Sequence, residues 1–120
     1  MMSHVVTVKT QIRDLTAIAA ACHRLALAAP VQGSAQLYDG QAVGVVVRLP
    51  GWQYPVVCDT ATGEVRYDHF GGRWGDPKHL DQFFQIYAVE RAKIEARKKG
   101  YAVSEQLLQD GSIRVQIVAA

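Results

Sequence analysis

Residues able to bind a metal, act as a nucleophile or stack on a ligand crowd one stretch of this chain. Between Cys58 and His79 lie Asp59, Asp68, His69, Arg73 and Asp76. A zinc site needs three or four nitrogen or sulfur ligands in near-tetrahedral array. His69 and His79 sit ten positions apart, with Asp68, Asp76 and Cys58 as the other candidates. No pair has the i,i+4 spacing of a helical ligand pair or the spacing of a C-x-x-C knuckle, so no metal is assigned. Covalent catalysis needs a nucleophile beside a base that a third group orients. Cys22 falls on an apolar helical stripe and His23 on a different face, because adjacent helical residues do not face each other. Cys58 closes a strand. Both read as reduced, buried thiols, and no catalytic residue or cofactor is assigned.

The run "HFGGRWGDP", residues 69–77, is glycine-rich and leads into a helix, a place where backbone N–H groups favour anions. It lacks the Lys-Ser/Thr end of a phosphate-binding loop, and Asp76 at the cap would repel an anion. Gly71, Gly72 and Gly75 are read instead as conformational glycines in a tight connection. The aromatic residues remain. Trp52, Tyr54, Tyr67, His69, Phe70, Arg73 and Trp74 form the candidate interaction surface. Trp, Tyr and Arg anchor protein interfaces, since each covers much area for little rotamer entropy. The same rings flanked by Arg66 and Arg73 would also stack single-stranded RNA. Two tryptophans in glycine-bearing turns are hard to bury together, so at least one is expected to be substantially exposed.

The elements that must position these residues follow from periodicity. Val5 to Ile12 alternates, with Val6, Val8, Thr10 and Ile12 on one face of a half-buried strand. Asp14 offers an N-cap, and Leu15, Ile18, Cys22 and Leu25 make a helical stripe over 15–27 that Pro30 terminates. Short strands are expected at Ala35–Asp39, Val43–Leu49, Pro55–Asp59 and Glu64–Asp68, with turns at Gly40, Pro50-Gly51 and Thr60–Gly63. Asp76-Pro77 starts a second helix of about 22 residues, with Leu80, Phe83, Phe84, Tyr87 and Ile94 as its apolar stripe and Gly100 as its stop. Glu90 and Glu95 interrupt the basic run Arg91, Lys93, Arg97, Lys98, Lys99, which reads as an ion-paired solvated face. Tyr101–Leu108 and Ser112–Val118 form a hairpin with a two-residue turn at Asp110-Gly111. The order β-α-β-β-β-β-α-β-β implies one α+β domain over residues 1–120. It is a two-layer sandwich in which two helices cover one face of a mainly antiparallel sheet.

The opening "SHVVTVKTQIRD", the "GWQYPVVCDTATGEVRYD" hairpin and the close "VERAKIEARKKGYAVSEQLLQDGSIRVQI" resemble the hypothetical chloroplast reading frame thirty-five family. These are small uncharacterised proteins of plastids, cyanobacteria and other bacteria, where they are filed as a domain of unknown function. The resemblance spans nearly the whole chain. It implies an identity without a mechanism, and a cytoplasmic or stromal setting.

Composition is that of a folded domain rather than a disordered chain. Hydrophobic residues make up 49%, and 13 basic against 11 acidic residues give +2. That balance argues neither for nucleic acid nor for a membrane, and no stretch approaches the length of a spanning helix. The expectation is a small, non-enzymatic accessory or adaptor protein of the cytoplasm. It would act through a protein partner or self-association, with RNA binding or a small enzyme as the alternatives.

Overall fold

The computed structural model describes residues 11–119 and the backbone of residues 6–9. The Ser3–His4 opening, Val5, Thr10 and the side-chain faces expected for Val6 and Val8 lie outside the described residues. The elements run β1 (Val6–Lys9), α1 (Leu15–Arg24), β2 (Val31–Leu37), β3 (Gly40–Val47), β4 (Val56–Asp59), β5 (Glu64–Tyr67), α2 (Pro77–Lys98), β6 (Ala102–Leu107) and β7 (Ile113–Val118). A single 3₁₀ turn, Phe70–Gly72, stands between β5 and α2. The architecture is the α+β sandwich read from the sequence, with an antiparallel five-stranded sheet ordered β1-β5-β4-β3-β2. The β6–β7 hairpin does not join it. It forms a separate two-stranded ribbon resting on α2.

Both helices lie on one face of the sheet. Ile18, Ala21 and Cys22 of α1 and Leu80, Phe83 and Tyr87 of α2 share a core with Val45, Val47, Val56, Cys58 and Val65. Period-two alternation sends the other side chains of the same strands to the opposite face. There Leu37, Ala42, Val46 and Val57 form a second, smaller cluster with no helix over it among the described residues. β3 is therefore almost continuously apolar because it feeds two clusters.

The helix ends obey local chemistry. Asp14 Oδ1 accepts from the Ala17 N–H, and Asp76 Oδ1 accepts from the Lys78 N–H with Pro77 in the first turn. Helix α1 stops at Arg24, three residues short of expectation. The Leu27 N–H turns back to Cys22 O at 2.8 Å and the Ala26 N–H to His23 O at 3.1 Å, with Ala26 at φ 57°. That left-handed C-terminal turn ends the helix before Pro30 is reached.

Three further expectations shift. β2 starts at Val31 rather than Ala35, and its turn to β3 is Tyr38-Asp39, so Gly40 already belongs to β3 opposite Leu37. The ribbon turn is longer than two residues. The Gly111 N–H bonds Leu108 O while Asp110 Oδ1 accepts from the Ser112 N–H, and Gly111 takes the left-handed position at φ 86°. Finally, α2 is not one-striped. Ile86, Val89 and Ala96 are buried too, because the ribbon covers a second side of the helix.

Candidate functional site

Two connections converge at one end of the sheet: residues 48–55 between β3 and β4, and residues 68–76 between β5 and α2. The Gln53 N–H donates to Trp74 O at 2.7 Å, and Trp52 Nε1 donates to Asp76 O at 3.1 Å. Gly75 lies flat beneath the Trp52 indole. A Cβ there would come within 2.4 Å of the ring, so only glycine fits.

The seven residues proposed as one surface separate into two groups. Trp52, Tyr67 and His69 form a triangle, with ring centroids 5.9, 5.6 and 5.3 Å apart. Trp52 and Tyr67 pack against the helix-side core. The other group gathers on Trp74. Its ring lies 4.7 Å from Phe70 in a stacked arrangement, 5.4 Å from Tyr54 and 5.2 Å from Tyr38. The Arg73 guanidinium sits 5.3 Å from the Phe70 centroid. Tyr54 packs on the helix-free cluster, so this second group belongs to the open face. Both indoles are half-buried, which corrects the expectation of a substantially exposed tryptophan: Trp52 is held by Asp76 and Gly75, and Trp74 by three rings. Tyr38 was missed by the sequence reading. It is 44% exposed and reaches the group from a hairpin turn whose side-chain direction no periodicity reveals.

The 68–74 segment is tightly bonded within itself. Asp68 Oδ1 accepts from the Phe70 N–H at 3.1 Å, and His69 Nδ1 accepts from the Gly72 N–H at 3.3 Å. The Arg73 and Trp74 N–H groups return to Phe70 O and His69 O. Phe70 stands at φ 47°, a left-handed conformation that a bulky residue adopts only under constraint. Asp68 is fully buried, and its Oδ2 has no hydrogen-bond partner among the described residues. Arg66, paired with Val57 of the open-face cluster, projects from the same sheet face and is exposed. Arg48 borders a cleft of about 270 Å³ on that face, beside Val31, Gly33 and Val46.

Burial pushes the Cys22 thiol up to about 11 and the Cys58 thiol, next to it in the core, up to about 12. Neither is a thiolate near neutrality. Burial and the Asp81 charge raise the Tyr67 phenol as well. Among the described residues no three His, Cys, Asp or Glu side chains gather as a metal site. His79 lies in the first turn of α2. No helix among them is long and apolar enough to cross a membrane. No protein family, characterised protein or solved structure matches the chain at a significant level.

Proposed function

We propose that this chain is a small, non-enzymatic cytoplasmic binding module that recognises a protein partner through the helix-free end of its sheet, centred on Trp74. The observation that carries the reading is the Trp74 group itself. Four aromatic rings and Arg73 are gathered on the one sheet face that no helix covers. Such rings, already packed on one another, lose little entropy on binding, and Trp, Tyr and Arg are the residue types that dominate interface energetics. The strained Phe70 turn fixes the geometry of this patch. The family resemblance read from the sequence has no matching family model behind it and adds no mechanism.

The test is affinity capture from native extract with the wild type and with a Tyr38→Ala/Arg73→Ala variant, each with and without nuclease. A partner retained after nuclease and lost with the variant supports the reading. Capture that survives the variant overturns it.

A second reading, single-stranded RNA binding, rests on Arg48, Arg66 and Arg73 sharing the face of the stacked rings. Binding of this kind falls steeply with salt because phosphate contacts release counterions. We expect no affinity for a random single-stranded oligonucleotide tighter than about 10 μM at physiological salt. A sub-micromolar, salt-sensitive constant would put RNA in place of protein.

A further inference from the structure

Helix α2 has one face that the described residues cover only in part: Asp81 and Ala88 are exposed, and Phe84, Arg91 and Glu95 are half-buried. Leu80, Phe83 and Tyr87 enter the core, and Glu90 meets Arg24 of α1. Gln85 and Lys93 bond the ribbon through Gly111 O and Glu105. What remains is a stripe of Asp81, Phe84, Ala88, Arg91 and Glu95, with spacings that alternate three and four. That is the pattern by which one helix presents a continuous seam to another. Along it runs an open groove of about 370 Å³ whose walls are mostly apolar, with Ile12, Phe84, Tyr87, Ala88 and Ala92 alongside Arg91.

Arg91 makes this more than a bare apolar face. Its Nε is shut off from water and has no acceptor among the described residues. The ion pairs there use Arg24, Lys78, Lys93 and Lys98, and not Arg91. A buried N–H lodged against apolar walls is unfavourable unless an acceptor meets it, and the cation that carries it favours an anion nearby. The groove's own hydroxyl is already engaged. Tyr87 Oη accepts from the Arg13 and Asp14 N–H groups and donates to Gln11 O. Asp81 is exposed on the same stripe, roughly 15 Å away along the helix axis, and it too enters none of those ion pairs.

We propose that this face pairs with the same face of a second copy of the chain, with the two α2 helices antiparallel about a two-fold axis level with residue 86. In that register Phe84 packs on the second copy's Ala88, whose small side chain admits the ring. Arg91 meets the second copy's Asp81. Each contact is made twice, as an isologous interface requires. Centring the axis on Ala88 instead would set Asp81 against Glu95, like charge on like. One cation and one carboxylate, neither of them in an ion pair among the described residues and placed on opposite sides of an apolar centre, make the stripe complementary to itself. The interface is separate from the Trp74 face and leaves that face open.

The experiment is analytical ultracentrifugation of the full chain over micromolar concentrations, with circular dichroism to check the fold of each variant. The wild type should dimerise. Arg91→Asp and Asp81→Arg should each weaken the dimer by at least about tenfold, and the Asp81→Arg/Arg91→Asp double variant, which exchanges the two charges, should restore it. A wild type that stays monomeric overturns the proposal. So does a dimer that either single change leaves intact, or a double variant that fails to restore it. Should Arg91→Asp not fold, Asp81→Arg at its exposed position carries the same test alone.

Discussion

The five-stranded sheet and the β6–β7 ribbon are built from the same kind of antiparallel alternation, yet they hold together differently. In the sheet, Val45, Val47, Val56, Cys58 and Val65 are wholly shut off from solvent, and each strand owes its place to the core it fills. In the ribbon no residue is fully buried, and Leu107, Ile117 and Val118 are 74%, 47% and 54% exposed. A two-stranded ribbon is marginal alone. This one is fastened by Ile113 at the core margin, by the Gln85–Gly111 hydrogen bond, and by a ring of charges. Arg24 lies 2.8 Å from Glu105 and 3.2 Å from Glu90, while Lys93 lies 2.7 Å from Glu105 and 3.0 Å from Glu90. Alternation makes a strand. What the strand is attached by decides how much a change in it matters.

The largest difference should come from matched truncations in the two regions. Phe83 is fully buried between α2 and the sheet, so Phe83→Ala should destabilise the chain by about 3–5 kcal/mol. Leu107→Ala in the ribbon should change stability by less than about 0.5 kcal/mol. Urea unfolding of both variants makes the measurement. Comparable losses would mean the ribbon carries as much packing as the sheet.

The two tryptophans sharpen the same contrast within one site. Trp52 joins the helix-side core, bonds Asp76 O and rests on Gly75. Trp52→Ala should therefore cost about 3 kcal/mol or more. Trp74→Ala, on the helix-free face, should cost under about 2 kcal/mol. Gly75→Ala should cost about 1–3 kcal/mol, because its methyl must push the indole aside. Equal losses for the two tryptophans, read from denaturant midpoints, would show that both groups are core.

How much of this the sequence discloses depends on whether the determining force is local. Asp76-Pro77 and Gly100 mark the ends of α2 because caps and left-handed turns involve neighbours in the chain, and those limits stand to within a residue. The Thr60–Gly63 turn is legible for the same reason. β2 is legible only in its second half, since Gln32, Gly33 and Ser34 have little strand character and pair because β3 lies beside them. The aromatic residues are visible as a group, but their division is not. It turns on which sheet face the helices cover, a tertiary fact. The ribbon's separation from the sheet is likewise invisible in an alternation that fits either arrangement. Tyr38 joins Trp74 across the chain, beyond the reach of any local pattern.

The ribbon's fastening should also respond to acid. The Lys93 ammonium, and then Arg24, hold the Glu105 carboxyl below its ordinary value. A depressed folded-state value gives stability that is present above the unfolded value and lost as pH falls through the folded one. Hydrogen exchange of the β6–β7 amides should therefore quicken as pH drops below the ordinary carboxylate range, after correction for intrinsic rates, while the five-stranded sheet stays protected. Glu105→Gln should speed exchange in the ribbon at neutral pH. The effect should be about 1 kcal/mol or less, since the side chains are partly solvated. Sheet and ribbon amides that loosen together would show one cooperative unit.

The smallest expected effect lies where two equivalent turns carry different residues. Both helices end in the same left-handed motif. In α2 the Tyr101 N–H returns to Ala96 O and the Gly100 N–H to Arg97 O, with Gly100 at φ 75°. In α1 the same pair of bonds closes on Cys22 O and His23 O around Ala26 at φ 57°. Alanine in that conformation crowds its Cβ against the following carbonyl, which disfavours it by roughly 1–2 kcal/mol. Ala26 is exposed, so its methyl contributes little packing in return. Glycine removes the crowding, but it also widens the unfolded ensemble and gives back part of the gain. Ala26→Gly should thus stabilise the chain by about 0.5–1 kcal/mol, while Gly100→Ala should destabilise it by about 1 kcal/mol. Thermal unfolding of the two variants should move in opposite directions. A loss of stability in Ala26→Gly would mean that the end of α1 is fixed by tertiary contacts rather than by its own left-handed turn.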